Sequence, residues 1–378
     1  MTGHEAAALF QRGVGALQAG DARSARGLLS TITQAGLADT ATWLALAQAC
    51  LMLRDTAAAG QALDQALARE PRNLTALMAK ADLLHLQGDG RGAAAFYAAV
   101  LRHGQADPAL PDAFQPMLAR ARAASEKLAL AFEARLRADL GCSGEPARSA
   151  RFEQSLELLS GRRQRYFQNP KIYCFPELPQ IQFYDRALFP WMDALEASTD
   201  AIRAELEAVL REGRDIDPYV RRDPSRPGTA GGGMVDNPDW SAYYLWRNGE
   251  PVAEHVARCP QTMAALEAVP LTRMPGRSPS ILFSVLRPGA RIPPHSGLVN
   301  TRLICHLPLV VPPGCGFRVG NETRAWVEGR AWAFDDTIEH EAWNDSDQTR
   351  VILLFEIWRP ELTDAERDWV CRLFEAID

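Results

Sequence analysis

At 378 residues, with apolar residues at 47% and charged residues at 23%, the chain is long enough for two buried cores and too apolar to be disordered. Its 41 basic and 47 acidic residues give a net charge of −6 without a block of one sign, which leaves no concentrated basic stripe of the kind nucleic acid requires. No run reaches the ~18 apolar residues of a membrane span, the start lacks the order of a signal peptide, and seven cysteines never pair as C-x-x-C, so a reduced, cytoplasmic protein with no membrane or nucleic-acid partner is expected.

Turn dipeptides recur at Gly20-Asp21, Arg54-Asp55 and Gly88-Asp89, 34 residues apart, the period of a tetratricopeptide repeat. Trp43, Leu46, Ala47, Ala59, Leu63, Ala66 and Pro71 take the large, small and helix-ending places of one unit. Ala81, Leu84, Ala93 and Tyr97 repeat them in the next unit, and Gly13, Ala25 and Leu29 in the one before. Small residues let antiparallel helices approach, large ones fill the gap, and a helix pair that cannot bury its face alone must stack. Residues 1–108 therefore read as an α-helical solenoid, a surface that either binds peptide segments or spaces and pairs domains. A further apolar periodicity through Phe114, Met117, Leu128 and Phe132, then Gly, Ser and Pro at 141–149, predicts capping helices and a linker over 109–150.

Residues 151–378 change character. Prolines and aromatics crowd positions 166–184, and one helix is predicted over Leu195–Arg211. The glycine-rich run Gly228–Gly233 lacks the lysine and spacing of a phosphate loop and reads as a lid or a turn. From Ser280 onward short β-type runs follow: Ile281–Leu286, Leu303–Val311, Gly316–Val319, Arg330–Phe334 and Val351–Trp358, with Gly, Pro and Asn turns between them. Such a series predicts an antiparallel sandwich or barrel. A closing helix is announced by the capping box Thr363-x-x-Glu366.

Of the seven histidines, His4 and His103 read as solvated, and His85 and His255, in helical stretches, read as surface residues or as supports behind a site. His295, His306 and His340 fall within the β-rich segment. Two imidazoles with open positions around them suit a non-haem ferrous oxygenase, which also needs a cation beyond the metal for the far carboxylate of 2-oxoglutarate. Arg350 lies ten residues after His340, across a tight Asn-Asp-Ser turn, where a guanidinium can bind that carboxylate with two prongs. The hydroxyl of Ser284, on the run before His295, can share the anion.

The strings His295-Ser-Gly-Leu-Val-Asn-Thr-Arg302, Cys305-His306-Leu-Pro-Leu, Val319-Gly-Asn-Glu-Thr323, Phe334-Asp-Asp-Thr-Ile-Glu-His340-Glu-Ala-Trp343-Asn344 and Trp358-Arg-Pro-Glu-Leu362 closely resemble the aspartyl/asparaginyl β-hydroxylase family. The resemblance covers roughly residues 165–362. It implies a double-stranded β-helix, Fe(II) on His295 and His340, 2-oxoglutarate held by Ser284, His306 and Arg350, and O2 as oxidant. It also implies hydroxylation of the β-carbon of Asp or Asn in a peptide or protein, with release of succinate and CO2. Animal members carry tetratricopeptide repeats before the oxygenase, as this chain does, which makes a peptide delivered through the repeats the expected partner.

The carboxylate ligand common in this chemistry stands two residues after the first histidine, where this chain has Gly297. That leaves water in the third place, or a nearby acid among Asp335, Asp336 and Glu339. Animal members are thought to meet an acidic substrate with basic residues beside the positions of Ser284 and His306. Here the flanks are Leu282, Phe283, Ile304 and Cys305, and only Arg302 is basic. Arg302 and Trp240 are the candidate substrate contacts, and Tyr243 and Trp246 either join Trp240 in walling the pocket or belong to the core. A lipid or fatty-acyl substrate, or a non-catalytic scaffold holding metal and 2-oxoglutarate, are the alternatives.

Overall fold

Asp21, Asp55 and Asp89 each accept a hydrogen bond from the backbone N–H three residues on, at 3.0, 3.0 and 2.8 Å, and each starts a helix. In the computed structural model, which describes residues 1–141, 149–222 and 233–377, these caps open the second helix of three successive hairpins. The hairpins are α1 (Gly3–Gln18) with α2 (Ala22–Gln34), α3 (Thr40–Met52) with α4 (Thr56–Arg69), and α5 (Leu74–Leu86) with α6 (Gly90–Gln105). Ala25, Leu29, Ala59, Leu63, Ala66, Ala81 and Ala93 are fully buried along the seams. The expected three-unit tetratricopeptide solenoid is present.

Each cap follows a left-handed residue, with φ of +80° at Gly20, +59° at Arg54 and +81° at Gly88. Arg54 alone carries a Cβ there, which costs on the order of 1 kcal/mol. Arg54→Gly is expected to recover about that much, raising the midpoint of thermal unfolding by a few degrees. A lower midpoint in a circular-dichroism melt would show that the arginine side chain stabilises the turn by other means.

The capping region is one long helix, α7 (Gln115–Asp139), followed by α8 (Ala150–Leu159). The chain divides into the units Met1–Gln164 and Arg165–Asp378, so α8 groups with the helical unit and the domain boundary expected at 150/151 moves towards the C-terminus. The reason is electrostatic. Glu133 of α7, almost fully buried, pairs with Arg137 and Arg162 at 2.8 Å each, and Arg137 also bonds Glu153 of α8 at 3.0 Å.

In the second unit come α9 (Met192–Ala197), α10 (Thr199–Glu212), β1 (Asp217–Pro218), β2 (Trp240–Arg247), β3 (Glu250–Pro251), α11 (Ala253–Arg258) and α12 (Pro260–Ala265). They are followed by β4 (Ile281–Leu286), β5 (Arg291–His295), β6 (Arg302–Val310), β7 (Cys315–Val319), β8 (Glu322–Arg324), β9 (Trp332–Phe334), β10 (His340–Asn344), β11 (Arg350–Trp358) and α13 (Asp364–Ile377). A seven-stranded antiparallel sheet runs β1-β2-β4-β11-β6-β9, with β3 on β2, and a four-stranded antiparallel sheet runs β5-β10-β7-β8. These two sheets form the expected double-stranded β-helix.

Alternation along the strands sorts the core into two layers. Phe283, Leu303, Cys305, Leu353 and Phe355 pack with Met192, Leu195, Ile202 and Leu206 of α9 and α10. Leu282, Ile304, Ile352 and Leu354 point the other way and meet Ile292, Phe317, Val319 and Ala342 of the smaller sheet. The space between the sheets is where the histidines lie.

Two expectations change. The helix expected over Leu195–Arg211 is two helices, α9 and α10, separated at Ser198. Strand β5 was hidden by Pro293-Pro294, which cannot donate to a ladder; it is tolerated because β5 is an edge strand. Of the glycine-rich run, Gly228–Gly232 lie outside the described residues.

Candidate active site

His295 is the last residue of β5 and His340 the first of β10, and the two stand directly opposite each other in the antiparallel register. Their ring centroids are 4.1 Å apart. In each, Nδ1 lies against a backbone carbonyl two residues earlier, His295 to Pro293 at 2.9 Å and His340 to Ile338 at 3.0 Å. A carbonyl oxygen can only accept, so Nδ1 carries the proton and Nε2 keeps its lone pair. Burial depresses both pKa values, that of His340 strongly, which keeps the imidazoles neutral near pH 7. Two neutral imidazoles with fixed tautomers and free Nε2 atoms are the donor set for a divalent transition metal. Among the described residues, no group of three or more His, Cys, Asp or Glu side chains could hold a metal ion together.

Gly297 explains its own lack of a side chain. A Cβ at this position would lie 2.0 Å from Oδ2 of Asp336. The backbone N–H of Gly297 donates to the carbonyl of Asp336 at 2.7 Å, so the turn before His340 is laced against the chain after His295. Asp336 pairs with Arg302 at 3.1 Å through Oδ2, while its buried Oδ1 has no partner among the described residues. Neighbouring Asp335 is held by Arg359 at 2.9 Å and Gln168 at 2.7 Å, and accepts from the backbone and hydroxyl of Thr337. Arg359, itself fully buried, also donates to the carbonyls of Asn300 and Pro179. That network fixes the turn from which both Asp336 and His340 project.

At the other end of the same cavity, of about 800 Å3, stand Ser284, His306 and Arg350. Their register is consistent with one face: Ser284 pairs with Ile352, two residues from Arg350, and His306 pairs with Leu354. Arg350 is 1% exposed, sits 4.9 Å over the ring of Trp326, and its Nε and Nη1 have no hydrogen-bond partner among the described residues. Burial without a counter-ion pushes its pKa down to about 10, so it remains protonated at neutral pH. Nδ1 of His306 and the indole N–H of Trp326 are likewise buried and unpartnered. Ser284 accepts from the indole N–H of Trp240 at 3.2 Å, leaving its own hydroxyl hydrogen to donate. A buried guanidinium with unmet N–H groups costs free energy unless an anion pairs with it.

The two candidate substrate contacts both line the cavity, in different states. Trp240 lies against the site, 6.0 Å from the His295 ring and stacked on Tyr219 at 4.1 Å. Arg302 is buried between two carboxylates, Asp336 and Glu356, the latter at 3.3 Å. Tyr243 and Trp246 are not in the cavity and pack on the opposite face of the large sheet. Of the four flanking residues, Ile304 lines the cavity whereas Phe283 and Cys305 face the helices. His255 also lies away from the cavity, its Nδ1 on the carbonyl of Tyr244 at 2.7 Å. Tyr219, Tyr244, Lys171 and Arg247 also line the cavity, from segments that carry no recognisable pattern in the sequence.

Residues 196–360 match the family model for Aspartyl/Asparaginyl beta-hydroxylase. The chain is 41% identical over 217 residues to the human protein named aspartyl/asparaginyl beta-hydroxylase, an alignment covering 57% of this chain and 26% of that one. It is 36% identical over 192 residues to the ornithine lipid ester-linked acyl 2-hydroxylase of Rhizobium tropici, covering 49% and 63%. With the human aspartate beta-hydroxylase domain-containing protein 2 it shares 29% over 205 residues, covering 53% of each. The chain thus spans less than two thirds of the length of each of these relatives. Among solved structures, the Arabidopsis OM64 TPR domain aligns over 33% of this chain and 95% of that one at 16% identity, with a TM-score of 0.29 that adds nothing to the repeat geometry itself.

Proposed function

We propose that the chain, whose residues 196–360 match the aspartyl/asparaginyl β-hydroxylase model, is a hydroxylase dependent on Fe(II) and 2-oxoglutarate. The observation that carries the proposal is the pairing, in one cavity, of two imidazoles with free Nε2 atoms and a buried, unpartnered guanidinium. His295 and His340 would hold the iron. Arg350, with the Ser284 hydroxyl and His306 beside it, would hold the distal carboxylate of 2-oxoglutarate. Ferrous iron with 2-oxoglutarate supplies the oxidising power: one oxygen atom of O2 enters a substrate C–H bond as hydroxyl, and the other enters succinate as CO2 leaves. The protein's part is to fix the two tautomers, to keep the anion end dry, and to present one C–H bond.

The substrate proposed is the β-carbon of Asp or Asn in a peptide, delivered by the helical repeats. A fatty-acyl chain is the second reading, favoured by the apolar wall at Ile304. The test is ferrous binding and succinate formation in His295→Ala and His340→Ala. Each is expected to lose both, because one imidazole with waters is a poor ferrous site. Near-normal succinate formation in either variant would remove the metal assignment.

A further inference from the structure

We propose that the residue hydroxylated is neutral, an asparaginyl rather than an aspartyl side chain, in a peptide whose acidic flanks are held at the cavity mouth by Lys171 and Arg247. The inference rests on the oxygenase reading of His295 and His340 and on the peptide reading of the substrate.

Inside the cavity, Arg302 already faces two carboxylates, Asp336 and Glu356, at 3.1 and 3.3 Å. Arg350 is reserved for the co-substrate. Two residues along β6 from Arg302, the cavity wall is Ile304. A substrate carboxylate brought in here would be a third anion beside one guanidinium, buried without a cation of its own. A carboxamide adds no charge and brings two N–H donors. The buried Oδ1 of Asp336 has no partner among the described residues and can accept one of them, a bond that an ionised aspartate cannot offer.

At the mouth the balance reverses. Lys171 and Arg247 line the cavity, are exposed, and have no carboxylate partner among the described residues. Arg221 beside them is paired with Asp217. The backbone N–H of Lys171 donates to the carbonyl of Gly297 at 3.1 Å, which ties this lysine's segment to the His295 side. Arg247 lies 5.0 Å over Tyr244, which stacks on Tyr219, which stacks on Trp240. An aromatic shelf with a free cation at its end suits an extended chain whose acidic residues stay outside while one neutral side chain turns in.

The test is a competition on the full-length protein with Fe(II), 2-oxoglutarate and O2. Two equimolar degenerate peptide libraries, one centred on Asn and one on Asp, are presented together, and peptides that gain one oxygen atom are sequenced by mass spectrometry. The Asn library should be modified at least roughly tenfold faster, since a buried acceptor discriminates strongly against a substrate that lacks the matching N–H donor. Modified peptides should be enriched in Glu and Asp around the centre, and the metal-free protein should retain the same acidic peptides. In Lys171→Glu/Arg247→Glu the flanking preference should turn to Lys and Arg, a reversal that a damaged fold cannot produce. Equal or faster modification of the Asp library would overturn the proposal, as would a flank preference that is absent or unmoved in the double variant. Consumption of 2-oxoglutarate with neither library modified, or oxygen delivered instead to an added dodecanoyl amphiphile, would overturn it as well. Absence of succinate formation under all conditions would strike first at the oxygenase reading, and this inference would fall with it.

Discussion

Arg350→Ala is expected to raise the 2-oxoglutarate concentration needed for half-saturation by about two to three decades while leaving ferrous binding largely intact. The guanidinium is 1% exposed and has no carboxylate partner among the described residues, so a bound dicarboxylate would supply one. Removing one member of a buried ion pair costs on the order of 3–5 kcal/mol, because the other is left unpaired in a medium of low polarisability. At ~1.4 kcal/mol per tenfold, that gives the stated range. Both imidazoles remain in the variant, so the metal site survives. Arg350→Lys should recover only part of the loss, since an ammonium cannot reproduce a two-pronged contact. Anaerobic titration of the ferrous protein with 2-oxoglutarate, followed by the metal-to-ligand charge-transfer band, measures this directly. An unchanged midpoint in Arg350→Ala would remove the anchor. The apo protein should gain stability from the same change, because an unpartnered buried charge is no longer held.

Gly297→Ala is expected to be nearly as damaging, although it adds a single methyl group. The new carbon would lie 2.0 Å from Asp336 Oδ2, which must then move. Moving it breaks the contact with Arg302 and disturbs the turn that presents His340. A loss on the order of 3 kcal/mol in stability is expected from the disrupted buried pair, with weakened ferrous affinity. Gly297→Asp should fare no better. It restores the residue type that usually completes such metal sites, but sets a second carboxylate against Asp336, and two carboxylates in one buried place cannot both ionise freely. Thermal unfolding together with ferrous titration checks both variants. An alanine variant with an unaltered melting point and metal affinity would show that Asp336 has room to move and that the contact is incidental.

Much of this was legible before any coordinates, for identifiable reasons. The 34-residue step is written in the turn residues, because a left-handed residue followed by an aspartate cap is a local requirement at Gly20-Asp21, Arg54-Asp55 and Gly88-Asp89. Ile281–Leu286 was readable to the residue, since a strand buried on both faces is an apolar run between turns, here interrupted only by Ser284. Strand phase was harder. Trp240, Tyr243 and Trp246 look equivalent in sequence, yet only Trp240 lines the cavity. Trp240 and Tyr243 are an odd number of positions apart and so face opposite ways, and a bulge between Tyr244 and Trp246 turns Trp246 away as well.

By itself, then, the sequence determined the helical repeats, the β-rich second unit, and the residue types that could bind a metal and an anion. These depend on local turn chemistry, on periodicity, and on the scarcity of histidine. Tertiary structure alone decided that Asp336 occupies the place left by Gly297, that Arg302 is already matched by two carboxylates, and that Arg350 is matched by none among the described residues. Each of those facts is a contact between strands distant in the chain. Charge has meaning in a buried site only through its neighbours, and those are set by strand register rather than by composition.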